Sequence, residues 1–158
     1  MKKSIFLILS TIFPLMASFT SCSKDSDDRP NVKISLDVER GTVINNVIYA
    51  AVGDTIIVGD VKVQNSESKP CMIDQVTFYW QGIPASYHQV APYRKVFPIA
   101  KDAVPGDREI DITCRLIVEG YPLCTAFKNF PVKLVASKDD IPQPDSNQHT
   151  ITLDADVQ

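Results

Sequence analysis

The chain has 158 residues, 16 Lys plus Arg against 19 Asp plus Glu, and a formal net charge of −3. A balance so slightly acidic, with no basic stripe, argues against a nucleic-acid partner and against a polybasic hold on anionic lipid. The length suits one domain with a real core rather than two.

Lys2 and Lys3 open the chain, an apolar run follows from Ile5 to Met16, and the small residues Ala17, Ser18, Thr20 and Ser21 come next. These are the three parts of an export signal. The run is too short to cross a bilayer, which takes about 20 apolar residues, and Pro14 interrupts it. Residues 1–21 are therefore expected to be removed. The quartet Phe19-Thr20-Ser21-Cys22 resembles the lipobox of bacterial lipoproteins, in which Leu and two small residues precede the Cys, although Phe19 stands in the first place here. The resemblance implies that Cys22 is lipidated and anchors the chain. One acyl chain binds a membrane marginally, whereas two or more hold, at about 0.8 kcal/mol per buried methylene.

Residues 22–31 read as an acidic tether, with Ser23-Lys24-Asp25-Ser26-Asp27-Asp28 directly after the Cys. That cluster resembles the surface-export signal of Bacteroidota lipoproteins. It implies display on the outer face of the outer membrane, with the periplasmic face as the alternative.

From Val32 to Ala136 the pattern is that of strands. Val32, Ile34, Leu36 and Val38 alternate with Lys33, Ser35, Asp37 and Glu39, as on a strand buried on one side. Val43 to Val52 is apolar around Asn45-Asn46, and Gly53-Asp54 marks a turn. Thr55 to Val58 and Val61 to Val63 read as one strand bent at Gly59-Asp60. Val76, Phe78 and Trp80 share a face within Met72 to Trp80. Ile110, Ile112, Cys114, Leu116 and Val118 form the inner face of the clearest run, with Asp111, Thr113 and Arg115 outside. Gly120-Tyr121-Pro122 closes a hairpin, and Leu123 to Phe127 and Phe130 to Val135 are expected as separate strands around Lys128-Asn129. No stretch keeps a 3.6-residue apolar period over a helix's length, and 11 prolines punctuate the chain.

About seven short strands separated by regular turn signals imply an all-β fold, an antiparallel two-sheet sandwich spanning residues 32–136. Val52-Gly53-Asp54-Thr55, Val76 to Gly82, Pro92-Tyr93, and Pro105-Gly106 before Ile110-Asp111-Ile112 resemble the immunoglobulin-like and fibronectin-III-like modules of Bacteroidota surface lipoproteins. Such modules share a fold without sharing a function. Residues 137–158 form an acidic, proline-containing tail. In its last part Ile151, Leu153, Ala155 and Val157 alternate with polar residues, as in an edge strand, while the composition before them favours a loosely held end.

With Cys22 lipidated, three of the four cysteines remain. Cys71 should lie near the hairpin leading to Cys124, so a Cys71–Cys124 disulfide is expected, with Cys114–Cys124 as its rival. Metal-binding spacings, phosphate-cradling glycine loops and nucleophile motifs are not found, so no metal, cofactor or catalytic residue is assigned. Between Trp80 and Phe97 aromatic rings alternate with polar donors. Trp80, Tyr87, His88, Gln89 and Tyr93 are thus the candidate ligand-binding residues, rings stacking on a sugar face while imidazole and amide bond its hydroxyls. Packing of Trp80 in the core, with the tyrosines as loop anchors, is the competing account. The expected role is non-catalytic binding or adhesion toward an envelope protein or glycan. The alternatives are an accessory subunit whose tail strand joins a partner's sheet, and a small hydrolase.

Overall fold

A computed structural model describes residues 29–144 and 148–158, so the signal segment, Cys22 and the tether as far as Asp28 lie outside the described residues. The chain forms β1 (Val32–Arg40), β2 (Thr42–Ile44), β3 (Val47–Ala51), β4 (Thr55–Asn65), β5 (Cys71–Trp80) and β6 (Ile83–His88). After these come β7 (Lys95–Pro98), β8 (Gly106–Val118), β9 (Cys124–Val135), a 3-10 turn at Lys138–Asp140, β10 (Thr150–Asp154) and β11 (Asp156–Val157). One sheet is ordered β10-β1-β4-β7 and the other β2-β3-β9-β8-β5-β6, with β11 also on β9. The molecule is an all-β, immunoglobulin-like sandwich, with more strands than the seven expected.

The added strands come from segments whose alternation is weak. β6 and β7 are short edge strands holding Pro84 and Pro98; proline is tolerated there because an edge leaves one side of the backbone unpaired. The run from Val43 splits into β2 and β3 because Asn45 and Asn46 both take positive φ, 50° and 63°. That pair makes the two-residue turn whose twist matches a hairpin. Lys128-Asn129, by contrast, does not break β9, which pairs with β8 from Leu134 down to Cys124 without interruption.

β1 and β4 pair antiparallel, and β4 runs unbroken past Gly59. A Cβ at Gly59 would stand 2.6 Å from the Glu39 side chain, so a larger residue here, where the register of β1 slips at Val38, would have to displace that side chain. Beyond Arg40 the chain crosses between the sheets, and β3 pairs in parallel with β9, Ile48 opposite Val132 and Ala51 opposite Val135. This is the one parallel pairing among the described strands, a departure from the expected all-antiparallel arrangement. It arises because a strand leaving the first sheet reaches the second heading the same way as β9.

The core lies between the sheets, with Phe78 and Phe130 the largest side chains fully withdrawn from water. Ile110, Ile112, Cys114 and Leu116 on β8 are all 0 % exposed, as the alternation requires. Asp111, expected outside, is also buried, because its carboxylate accepts hydrogen bonds from Asn129 Nδ2 at 2.6 Å and the Gly82 backbone N–H at 3.1 Å. It thereby ties the β5–β6 turn to β8 and β9.

The end of the chain is not loosely held. β10 lies antiparallel on β1 with Leu36 opposite Ile151, which is itself 0 % exposed. Ser35 and Thr152 hydroxyls bond at 2.8 Å, Ala155 N–H donates to the Val32 carbonyl, and β11 then crosses to β9. The tail thus straps one side of the sandwich, joining both sheets. Burying an isoleucine is worth about 1.5–3 kcal/mol, which offsets part of the ordering of the terminal strand, the ladder to β1 and the contacts of β11 supplying the rest.

These pairings define two poles. Arg29 to Asn31, the β4–β5 turn, the β8–β9 hairpin and the C-terminus gather at one, where Arg29 Nη1 donates to the Val157 carbonyl and Ser66 N–H to that of Asn31. Arg40 to Thr42, Val52 to Asp54, the Gln81-Gly82 turn and the loop before β8 gather at the other, joined by Gly53 N–H to Ala100 and Gln81 N–H to Glu109.

Candidate functional site

The residues expected to bind a ligand do not converge. His88 stands opposite Val76 on the inner face and meets the Phe78 ring edge-on at 5.6 Å. Tyr87, one residue earlier, is opposite Thr77 on the outer face and 69 % exposed. Successive residues of a strand face opposite sides, so neighbours on β6 cannot grip one ligand together. Trp80 is partly buried with its ring 5.7 Å from that of Phe97, and Gln89 is exposed on the loop beyond β6. Tyr93 is buried; its hydroxyl donates to the Ile73 carbonyl at 3.1 Å and its N–H to Asp60 Oδ1 at 3.0 Å. It pins the loop between β6 and β7 to β4 and β5, and so is an anchor rather than a ligand contact.

The Cys71–Cys124 disulfide is not made either, since Cys71, Cys114 and Cys124 are free thiols. Cys71 does stand opposite Val118 as the hairpin argument required, and Cys124 opposite Leu116. They flank β8 from opposite sides, however, two strand spacings or about 9.5 Å apart across the sheet and two residues out of register along it, beyond the roughly 7 Å that a disulfide spans. Cys114 faces Ala126 and is diagonal to Cys124, a relation of about 7–8 Å between backbones. Burial pushes the Cys114 thiol up to about 12 and raises Cys71 and Cys124 as well. Protonated thiols are poor nucleophiles.

A recess does open at the pole of Arg40 and Asp54. It is a cavity of about 460 Å³ lined on one side by Arg40, Asp54 and Lys138 and on the other by Tyr49, Gln148 and His149. Asp54 Oδ1 lies 2.5 Å from Arg40 and Oδ2 lies 3.2 Å from Lys138 Nζ, while the Thr55 N–H donates to Oδ1 at 2.8 Å. Burial by itself would raise the Asp54 carboxyl, but the Thr55 amide, Lys138 and Arg40 outweigh it and hold the group below its ordinary range. One carboxylate between two cations leaves a net positive wall. Opposite it, Gln148 Nε2 donates to Asn46 Oδ1 at 3.3 Å and to the Thr150 carbonyl at 3.0 Å, which fixes the amide at the rim.

None of these lining residues was singled out from the sequence as a site. Arg40, Asp54 and Lys138 are far apart along the chain, and only the crossing between sheets and the pairing of β3 with β9 bring them together. The signal available was the Gly53-Asp54 turn, which alone marks only a loop.

No protein-family model matches the chain, and no curated protein matches it. Among solved structures it is similar to the fibronectin(III)-like modules of CbhA from Clostridium thermocellum, at 14 % identity and a TM-score of 0.39, over 65 % of this chain and 97 % of that one.

Proposed function

We propose that the protein is a lipoprotein of the bacterial cell envelope, anchored through Cys22 to the outer membrane and displayed at the cell surface. Its sandwich acts as a non-catalytic binding or adhesion module for a protein or glycan. The observation that supports this best is polar opposition: the tether joins at the pole of Arg29, and the cavity of Arg40, Asp54 and Lys138 opens at the other. A 13-residue strand such as β8 spans about 43 Å at 3.3 Å per residue, so a domain standing on its anchored pole holds this cavity well clear of the bilayer. Its walls offer cations, amides and a phenol, suited to carboxylate, amide or hydroxyl groups on a partner.

The accessory-subunit reading has no free strand to donate, because the tail strand is paired with β1 within its own chain, and β10 offers a partner only its outer edge. Two measurements on the full chain test the proposal. Membrane fractionation and palmitate labelling of the wild type and Cys22→Ala examine the anchor, which is refuted if the variant stays with membranes. Capture on glycan and envelope-protein arrays examines the recess: Lys138→Glu should abolish it and Tyr87→Ala should spare it. Capture unchanged by Lys138→Glu would remove the recess from the account.

A further inference from the structure

We infer that the pole of Arg29 is itself a membrane contact, with Met72, Ile117 and Leu123 seated in the lipid interface beneath the domain. The inference rests on the anchor reading above. Exposed large apolar residues elsewhere in the molecule stand apart: Ile83 and Val104 at the far pole, Tyr87 and Val90 along the β6 edge, Val96 on β7. Three at the tether pole are contiguous. Met72 is directly opposite Ile117 across β5 and β8, and the pairing of Leu116 with Cys124 brings Leu123 to the other side of Ile117. All three point outward, 60 %, 47 % and 64 % exposed. A contiguous apolar patch on the outer face of a sheet marks an interaction surface, where scattered single residues do not.

Chain length selects the occupant. Only residues 23–28 separate Cys22 from Arg29, and seven residue steps reach at most about 25 Å even when fully extended. Whatever conformation those residues take, an anchored Cys22 keeps this pole within that distance of the bilayer. The chemistry around the patch agrees. Tyr121 at the hairpin tip is partly buried, with Lys69 Nζ 4.5 Å over its ring and its hydroxyl donating to Glu67 Oε1 at 2.9 Å. A ring with an apolar body and a wet end suits the headgroup level. Lys69 is paired with Glu67 at 2.6 Å, so the contact is apolar rather than a charge attraction to anionic lipid.

The test uses the full chain, matured with its own signal and reconstituted in phosphatidylcholine vesicles whose acyl chains carry bromine. In a Trp80→Phe background, Leu123→Trp reports the proposed contact and Val104→Trp the far pole. Both positions are exposed, so neither substitution disturbs packing. The expected result is a blue shift and loss of emission for Leu123→Trp, with Val104→Trp unaffected. Equal emission from the two, with Cys22 acylated by mass spectrometry, overturns the contact and leaves the anchor standing. An unmodified Cys22 overturns the anchor and the contact together.

Discussion

Truncating Ile151 to alanine probes the strap that closes the sandwich. The side chain is 0 % exposed, opposite Leu36 on β1 and part of the core cluster. Three carbons are lost, which at about 0.8 kcal/mol each is about 2.4 kcal/mol of transfer free energy. The hole left behind raises the cost to about 3 kcal/mol, within the usual range of roughly 2–5 for such a truncation. It stays at the lower end because β10 is an edge strand, with a neighbour on one side only, and relaxes inward more readily than a central one. Urea unfolding of the two proteins at equal m-value should show this difference, accompanied by a fall in Tm of roughly 10 °C for a domain of this size. Thr152→Val is the companion: it deletes the 2.8 Å hydroxyl bond to Ser35 and should cost about 1 kcal/mol. A loss below about 1 kcal/mol for Ile151→Ala would mean that the tail contributes nothing to the core, and the strap would have to be abandoned.

Asp54 predicts an acid sensitivity. Its carboxyl is held below the ordinary 3.8 in the folded chain, so its contribution is complete above that value and drains away as pH falls through the lower folded one. Asp54→Asn should therefore lower stability at neutral pH and flatten the acid limb of a stability–pH profile; an unchanged limb would exclude the ion cluster as a stabilising element. Tyr93→Phe, by losing the bond to the Ile73 carbonyl, should cost about 1–2 kcal/mol, whereas Tyr87→Ala on the exposed outer face should leave the denaturation midpoint nearly unmoved. Thiol titration of the acylated protein should count three reactive groups after unfolding, with Cys71 reacting first in the native state and Cys114 only on unfolding. A count of one would show that two of the three are bonded, as Cys71–Cys124 or Cys114–Cys124. Cys114→Ser, which puts a hydroxyl into an apolar core, should cost about 1–3 kcal/mol by chemical denaturation, and a neutral result would mean that the site is wet.

Strands with one buried face were legible from residues alone. Val32 to Val38 and Ile110 to Val118 alternate because a sheet covered on one side needs period two, and both are strands with the expected residues inward. From that alternation, the scarcity of helical periods and the placement of turns, the sandwich class followed. Strand boundaries followed less well, because Asn45-Asn46 and Lys128-Asn129 are both polar pairs within apolar runs. Only the first takes positive φ, and the second is carried through by its partner β8.

What pairs with what belonged to the tertiary structure. Tyr87 and His88 are adjacent in sequence yet on opposite faces, Cys71 and Cys124 are parted by a strand, and Arg40, Asp54 and Lys138 are brought together from three separate segments. Local pattern records how each segment divides its faces between oil and water, a property of neighbouring residues. Sites are made where distant segments meet, and those meetings depend on strand order and on where the chain crosses from one sheet to the other, for which no short stretch carries a signal.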